Sequence, residues 1–215
     1  MQELLNDLKP NFSGDIDFSE TTLKTYSRDA SLFEIKPQVV IFPKNSKDVQ
    51  NAVNWVNVHK KENSTLSITP RSAGTDMTGG PLSPSVVMDF TRYMNRIVEV
   101  TNDHGTVEPG CFYRDFDKET RKRSRFMPTY TASRDICAVG GMVANNAGGE
   151  KSIKYGKVEN HIEKLKVVFS DGNEYEVKPM TLVELEKKIS QNDFEGNFYK
   201  KLFDLIQENY EVIIS

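Results

Sequence analysis

Two glycine-rich stretches decide how this chain reads: Pro70-Arg71-Ser72-Ala73-Gly74-Thr75-Asp76-Met77-Thr78-Gly79-Gly80, and Gly140-Gly141-Met142-Val143-Ala144-Asn145-Asn146-Ala147-Gly148-Gly149, which runs on to Tyr155-Gly156. Glycine inside a regular element costs roughly 0.5–1 kcal/mol of backbone entropy, so clusters this dense need a local reason. Two reasons exist: positive φ angles, or close approach of the backbone to something bulky. Successive free N–H groups in such a loop form a concavity suited to an anion. Both stretches therefore read as loops wrapped around one large, phosphate-bearing cofactor.

The flanking sequence supplies a scaffold. Pro37 and Pro43 bracket Val39-Val40-Ile41-Phe42, a continuous apolar run of strand length. Asn45 or Ser46 then caps a helix in which Val49, Ala52, Val53 and Val56 recur at helical spacing. Leu66 to Thr69 is a second strand, so strand, helix and strand predict a βαβ unit with a parallel pair. The first glycine stretch leaves the carboxyl end of that second strand, where ligands of such sheets sit. Ser85–Phe90 and Arg96–Val100 read as further strands, Thr106–Gly110 as a short β-like segment, and Tyr113–Arg123 as a helix with Phe112 and Phe116 on one face. Lys118, Arg121, Lys122, Arg123 and Arg125 read as a solvated face suited to the helix C-terminus. Asp171-Gly172 signals a hairpin after Leu165, Val167 and Phe169. Thr181 to Glu184 matches a capping box, Asn192–Gly196 is a break, and Phe198 to Ile206 marks a last amphipathic helix. Val212-Ile213-Ile214 is expected to start a strand, and residues 1–24 to form a short helix and a polar arm.

The formal net charge of −3 lacks the basic excess of a nucleic-acid binder. Cys111 and Cys137 are too few for a disulfide framework and read as small buried side chains in a reducing compartment. His59, His104 and His161 are scattered without ligand spacing, so no metal is expected. No run approaches ~18 uninterrupted apolar residues. The expected location is the cytoplasm.

Three phosphate cradles compete. A P-loop needs Lys and Ser or Thr directly after its last glycine. Gly74 and Gly79 have the four-residue gap, but Gly80-Pro81 follows. A Rossmann fingerprint needs Gly-x-Gly-x-x-Gly, and neither stretch has it. The third option is a flavin site in which two separated loops enclose the pyrophosphate.

The two motifs, in this order and at this separation, resemble those of the vanillyl-alcohol oxidase and p-cresol methylhydroxylase superfamily of FAD-linked oxidases. The likeness is to its glycolate oxidase and D-lactate dehydrogenase branch. Ile136 to Gly149 with Tyr155-Gly156 matches that branch almost residue for residue. Tyr26–Ser31, Pro37–Pro43, Val107–Gly110 and Asp171-Gly172 support it, so the resemblance covers residues 25 to 180. It implies FAD held through Pro70, Arg71, Ser72, Ala73, Gly74, Thr75, Asp76, Gly79 and Gly80 on one side. On the other it implies Val139, Gly140, Gly141, Ala144, Asn145, Gly148, Gly149 and Tyr155. Pro128 to Ser133 is implied to run beside the ring system, with Asn145 and Ser133 as hydrogen-bonders and Ile162 at the adenine end. Thr75 stands where some relatives carry a histidine that attaches FAD, and Cys137 is out of register for a cysteinyl link, so non-covalent FAD is expected.

Simpler readings stand beside these. Gly79-Gly80 is also compatible with a tight turn, Asn145-Asn146 with local backbone capping, and His161 with a packed or surface histidine. Arg71 has two readings, a phosphate partner or a carboxylate partner, and the sequence does not choose.

The resemblance implies an α+β fold of two subdomains: a small parallel sheet in residues 25–105, then a mainly antiparallel sheet with flanking helices in 106–215. It further implies oxidation of a 2-hydroxy acid of the D-lactate or glycolate type by hydride transfer to the flavin N5. In this family the substrate-binding and acid/base residues lie in a later domain. A closing Gly-Thr-Leu-Gly-like segment has no counterpart before Ser215. No catalytic residue is therefore assigned, and the chain reads as an N-terminal fragment, inactive alone. The alternative is a non-catalytic FAD-binding or assembly subunit that works with a partner chain.

Overall fold

Val39–Phe42 (β2) and Val86–Asp89 (β4) are buried at every position, which requires strands covered on both faces. The computed structural model, which describes residues 3–214, places them at the centre of a four-stranded sheet of order β1-β2-β4-β3. The outer strands are β1 (Asp15–Asp17), antiparallel to β2, and β3 (Ile68–Arg71), parallel to β4. The register pairs Val39 with Val86 and Arg71 with Asp89.

The predicted βαβ unit therefore has a correction. β2 and β3 run parallel but are not neighbours, because β4 lies between them. Pro70 gives the reason: it has no amide for a second ladder, and proline belongs on sheet edges. The N-terminal region differs too. Residues 4–11 form two 3₁₀ turns, Leu4–Asn6 and Lys9–Asn11, followed by β1 and then helix α1 (Glu20–Tyr26) rather than one helix and an arm. Gly14 makes the added strand possible, since a Cβ there would lie 1.9 Å from the Phe42 carbonyl oxygen.

Helix α2 (Ser46–His59) covers one face of the sheet, with Ala52, Trp55 and Val56 packed in a cluster containing Leu5, Leu8, Ile41, Leu66 and Met88. Its cap is Asn45, whose side chain accepts from the Asp48 amide at 3.0 Å. Asp48 is buried and accepts three bonds, from Ser13 N, Ser13 Oγ and Lys44 N, each at 2.8 Å. Asp48→Ala strands those donors and is expected to cost about 2–3 kcal/mol, read as a lower midpoint in urea unfolding.

Beyond the sheet, β5 (Ile97–Val100) and β6 (Gly105–Val107) pair antiparallel, and helix α3 (Tyr113–Arg121) follows. Tyr113, Phe116, Tyr130, Cys137, Met142 and Val158 build a second core. Helices α4 (Val139–Ala144) and α5 (Ser152–Tyr155) and a 3₁₀ turn (Val158–His161) complete this region. β7 (Leu165–Val168) and β8 (Glu174–Val177) form a separate two-stranded ladder whose turn uses Gly172 at φ +80°. The predicted fold class stands: α+β, with a small parallel sheet and two-stranded antiparallel pieces.

By contact density the chain divides into a unit running through Ile162 with Val168–Tyr175, and a second made of Glu163–Val167 and the residues from Glu176 onward. The second unit carries α6 (Leu182–Ile189), opened by the predicted capping box of Thr181 and Glu184. The break after it ends at Asp193, which caps α7 (Phe194–Glu208). Val212-Ile213-Ile214 belongs to a further helix, α8 (Tyr210–Ile214), and not to a strand. Both Val212 N and Ile213 N find the Asn209 carbonyl, at 3.1 and 3.0 Å, so a local turn satisfies the backbone that a strand would have to pair elsewhere.

Candidate cofactor site

The first glycine stretch leaves the carboxyl end of edge strand β3 and turns at once, with Gly74 at φ +66° and Gly79 at φ +85°. Arg71 lies beneath the turn. Its Nη2 donates to the Arg28 carbonyl (2.8 Å), its Nη1 to the Tyr26 carbonyl (3.4 Å), and the guanidinium stacks 5.0 Å from the Tyr26 ring centroid. Within the protein, its side-chain hydrogen bonds go to backbone carbonyls and not to a carboxylate. Burial lowers its pKa, against the pull of Tyr26, Asp89 and Asp29.

Asp76 folds the far end of the same loop. Its Oδ2 accepts from Thr78 Oγ1 (2.6 Å), Gly80 N (2.8 Å) and Thr78 N (3.2 Å), and the Thr78 hydroxyl foremost holds the carboxyl below its ordinary value. The Asp76 carbonyl in turn accepts from Ala30 N at 3.1 Å. With both ends tied, the amides of Ala73, Gly74, Thr75 and Asp76 meet no protein acceptor among the described residues. Gly79-Gly80 does act as a tight turn, closed by Leu82 N on the Gly79 carbonyl (3.1 Å).

The second stretch is in part a helix, where a loop was expected: Gly140 and Gly141 lie inside α4. Neither has positive φ, nor do Gly148 and Gly149, and at Gly140, Gly148 and Gly149 the reason is close approach. A Cβ on Gly140 would lie 2.5 Å from the Pro109 carbonyl oxygen, and one on Gly149 2.0 Å from that of Tyr130. Gly141 is different. It is exposed, and a Cβ there would meet only the Ser72 Cβ, at 3.7 Å.

That contact joins the two motifs. The Pro109 carbonyl accepts from Ser72 Oγ (3.1 Å) and from Gly140 N (2.9 Å), so stretches some seventy residues apart share one acceptor. Gly141, next to Ser72 at this junction, is exposed, as are Ala144, Asn145 and Gly148 further along the second motif. Pro109 was read only as part of a supporting match; its place at the junction depends on tertiary pairing and carried no local signal.

The remaining candidates divide. Pro128 and Ser133 are half-buried, and Ser133 Oγ lies 2.9 Å from Thr131 Oγ1. Asn145 ends α4, while Asn146, at φ 41°, accepts from Glu159 N at 3.1 Å, thirteen residues on, so its bond is not to local backbone. The Tyr155 carbonyl faces His161 Nε2 at 3.0 Å, which makes that nitrogen the donor and gives His161 a structural partner. Ile162 packs against the second core, its amide taken by the Glu159 carbonyl at 3.3 Å. Cys111 is buried, and burial pushes its thiol up to about 11, away from nucleophilic use. The basic face of α3 is tied to its own carboxylates, Arg121 to Asp117 and Lys122 to Glu119 both at 2.6 Å. Among the described residues no cluster of metal-ligating side chains occurs, and no helix is long and apolar enough to cross a membrane.

Compared with known families, residues 37–178 match the FAD binding domain. The chain belongs to this family. D-2-hydroxyglutarate dehydrogenase of Escherichia coli (strain K12) is 26% identical over 205 residues, covering 94% of this chain and 20% of the relative. Glycolate oxidase subunit GlcD of Bacillus subtilis (strain 168) is 29% identical over 153 residues, 69% of this chain and 31% of that subunit. The chain thus spans a fifth to a third of the length of these curated relatives. Among solved structures, 6-hydroxy-D-nicotine oxidase from Arthrobacter nicotinovorans shares the fold at a TM-score of 0.68 and 20% identity, over 81% of this chain and 38% of that one. An alkyldihydroxyacetonephosphate synthase does so at 0.70 and 19%, over 84% and 35%. The fold is the p-cresol methylhydroxylase type, and FAD is the cofactor. The residues present fit it: two phosphates need donors, and four consecutive amides meet no protein acceptor among the described residues, directly after Ser72, which approaches Gly141.

Proposed function

We propose that this chain is the FAD-binding portion of a flavin-dependent oxidoreductase that acts on a 2-hydroxy acid. The observation that carries the reading is the junction at Pro109, where both glycine motifs meet beside the open amides of residues 73–76. Those amides and the Thr75 hydroxyl would hold the pyrophosphate by charge-assisted hydrogen bonds. Gly141, Ala144 and Gly148 would line the opposite wall, with Asn145 and Ser133 bonding the ribitol or ring and Pro128 to Ser133 flanking the ring. Tyr155 and Ile162 would close the adenine side. FAD would be held non-covalently, Thr75 standing at the histidyl position. When bound, FAD supplies a hydride acceptor at N5, and the protein's part is to orient and shield it.

D-lactate, glycolate and, from the relatives' names, D-2-hydroxyglutarate are the substrates to test, in a cytoplasmic enzyme whose FAD domain comprises lobes 25–105 and 106–215. Titration of the chain with FAD, riboflavin and NAD, followed by flavin fluorescence and amide NMR shifts, tests the reading. FAD is expected to bind weakly at one per chain and to shift Gly74, Thr75 and Gly141, with no turnover on the three acids. Equal binding of NAD, or no shift at those amides at millimolar FAD, would refute it. A second reading, an assembly subunit completed by a partner chain, is favoured by the exposed Leu202, Leu205 and Ile206 of α7. Turnover that appears only on adding the partner would select it.

A further inference from the structure

We propose that Arg71 is a positioning residue: with Asp76 it clamps the loop between them into a shape that leaves the amides of residues 73–76 free, and it does not itself touch phosphate. This rests on the reading of that loop as the phosphate cradle. An arginine beside a phosphate site ordinarily reads as the anion's partner. Here two of the five N–H donors are already turned to the backbone beneath the loop. Nη2 and Nη1 hold the Arg28 and Tyr26 carbonyls, the plane lies over the Tyr26 ring, and buried Asp89 sits beside Arg71 in the strand register.

The guanidinium also fills the space under Gly74, where an added Cβ would lie 2.3 Å from Nη2 and 2.7 Å from Cζ. Gly74 can therefore rest on the guanidinium only because it lacks a side chain, and its positive φ lets the chain turn over it. Asp76, two residues after Gly74, does the complementary work, gathering Thr78 and Gly80 with one carboxylate oxygen. A loop fixed at both ends has little entropy left to lose when a ligand arrives, which is how preorganisation raises affinity.

The experiment compares wild type, Arg71→Lys and Arg71→Met in two measurements: FAD affinity at several salt concentrations, and ¹⁵N order parameters of Gly74 and Thr75 without FAD. Lysine keeps the charge but not the fork. Both variants are expected to bind FAD about tenfold more weakly, with an unchanged salt dependence and lower order parameters at both positions. An Arg71→Lys variant with wild-type affinity, a flattened salt dependence in Arg71→Met, or unaltered order parameters would each overturn the proposal. Should either Arg71 variant fail to fold, Asp76→Ala at the exposed end carries the same expectations. If wild type binds no FAD at all, the cofactor reading fails, and the order parameters alone still decide the clamp.

Discussion

Gly141→Val should abolish FAD binding and leave the protein folded, whereas Gly140→Ala, one residue earlier, should destabilise the fold itself. The two glycines share a helix and a dipeptide, but they face different things. At Gly141 the space is open: the nearest atom to an added Cβ is the Ser72 Cβ at 3.7 Å, an ordinary contact. Replacing a helical glycine also removes a propensity penalty of about 1 kcal/mol, of which the β-branched residue returns a part. The melting temperature is thus expected to stay within a degree or two. A valine would, however, stand in the gap between the two motifs, where the pyrophosphate is proposed to lie. At Gly140 a Cβ meets the Pro109 oxygen at 2.5 Å, its Cβ at 2.7 Å and its Cα at 2.8 Å. Most of that is backbone, which cannot rotate away, so a cost of about 2–3 kcal/mol is expected. Thermal melts and FAD titrations of the two variants check both halves. Undiminished FAD binding by Gly141→Val would mean the cofactor lies elsewhere.

This contrast also shows what the sequence could and could not convey. Apolar runs such as Val39–Phe42 announce buried strands because burial on both faces leaves no alternation, and Asn45 and Thr181 announce helix starts through their side-chain acceptors. Strand order was not legible: nothing local to Leu66–Thr69 says that Val86–Asp89 will insert between it and its predecessor, and only Pro70 hints at an edge. Val212–Ile214 misled because β-branched residues favour strands only where an edge exists to receive them. At the candidate site, glycine density marked two segments that meet at Pro109, but the reason for Gly140 and Gly149 is a distance to a partner far along the chain. That is why Gly140 and Gly141 look alike on paper. Arg71 was ambiguous for the same cause: its acceptors are the carbonyls of Tyr26 and Arg28, and a carbonyl carries no side-chain signature.

Gly149→Ala is expected to be among the most damaging single-methyl changes in the chain, lowering stability by about 3 kcal/mol. An alanine Cβ would lie 2.0 Å from the Tyr130 carbonyl oxygen, 3.0 Å from its carbon and 3.3 Å from Thr131 Cα. Gly149 does not have positive φ, so the cost is steric alone. Relief requires the chain at Tyr130 to move, and Tyr130 is anchored in the second core and bonded through its hydroxyl to Glu150 at 2.5 Å. The segment that would have to yield, Pro128 to Ser133, is the one proposed to flank the flavin ring. Steric strain at Gly149 therefore acts on folding and on the cofactor site together, unlike Gly141→Val, which acts on the site alone. For a chain of this size about 3 kcal/mol corresponds to a fall in melting temperature of roughly 6–12 °C. A Gly149→Ala protein that melts with wild type would show that the Tyr130 backbone is free to retreat, and that the close approach does not hold the two segments in place.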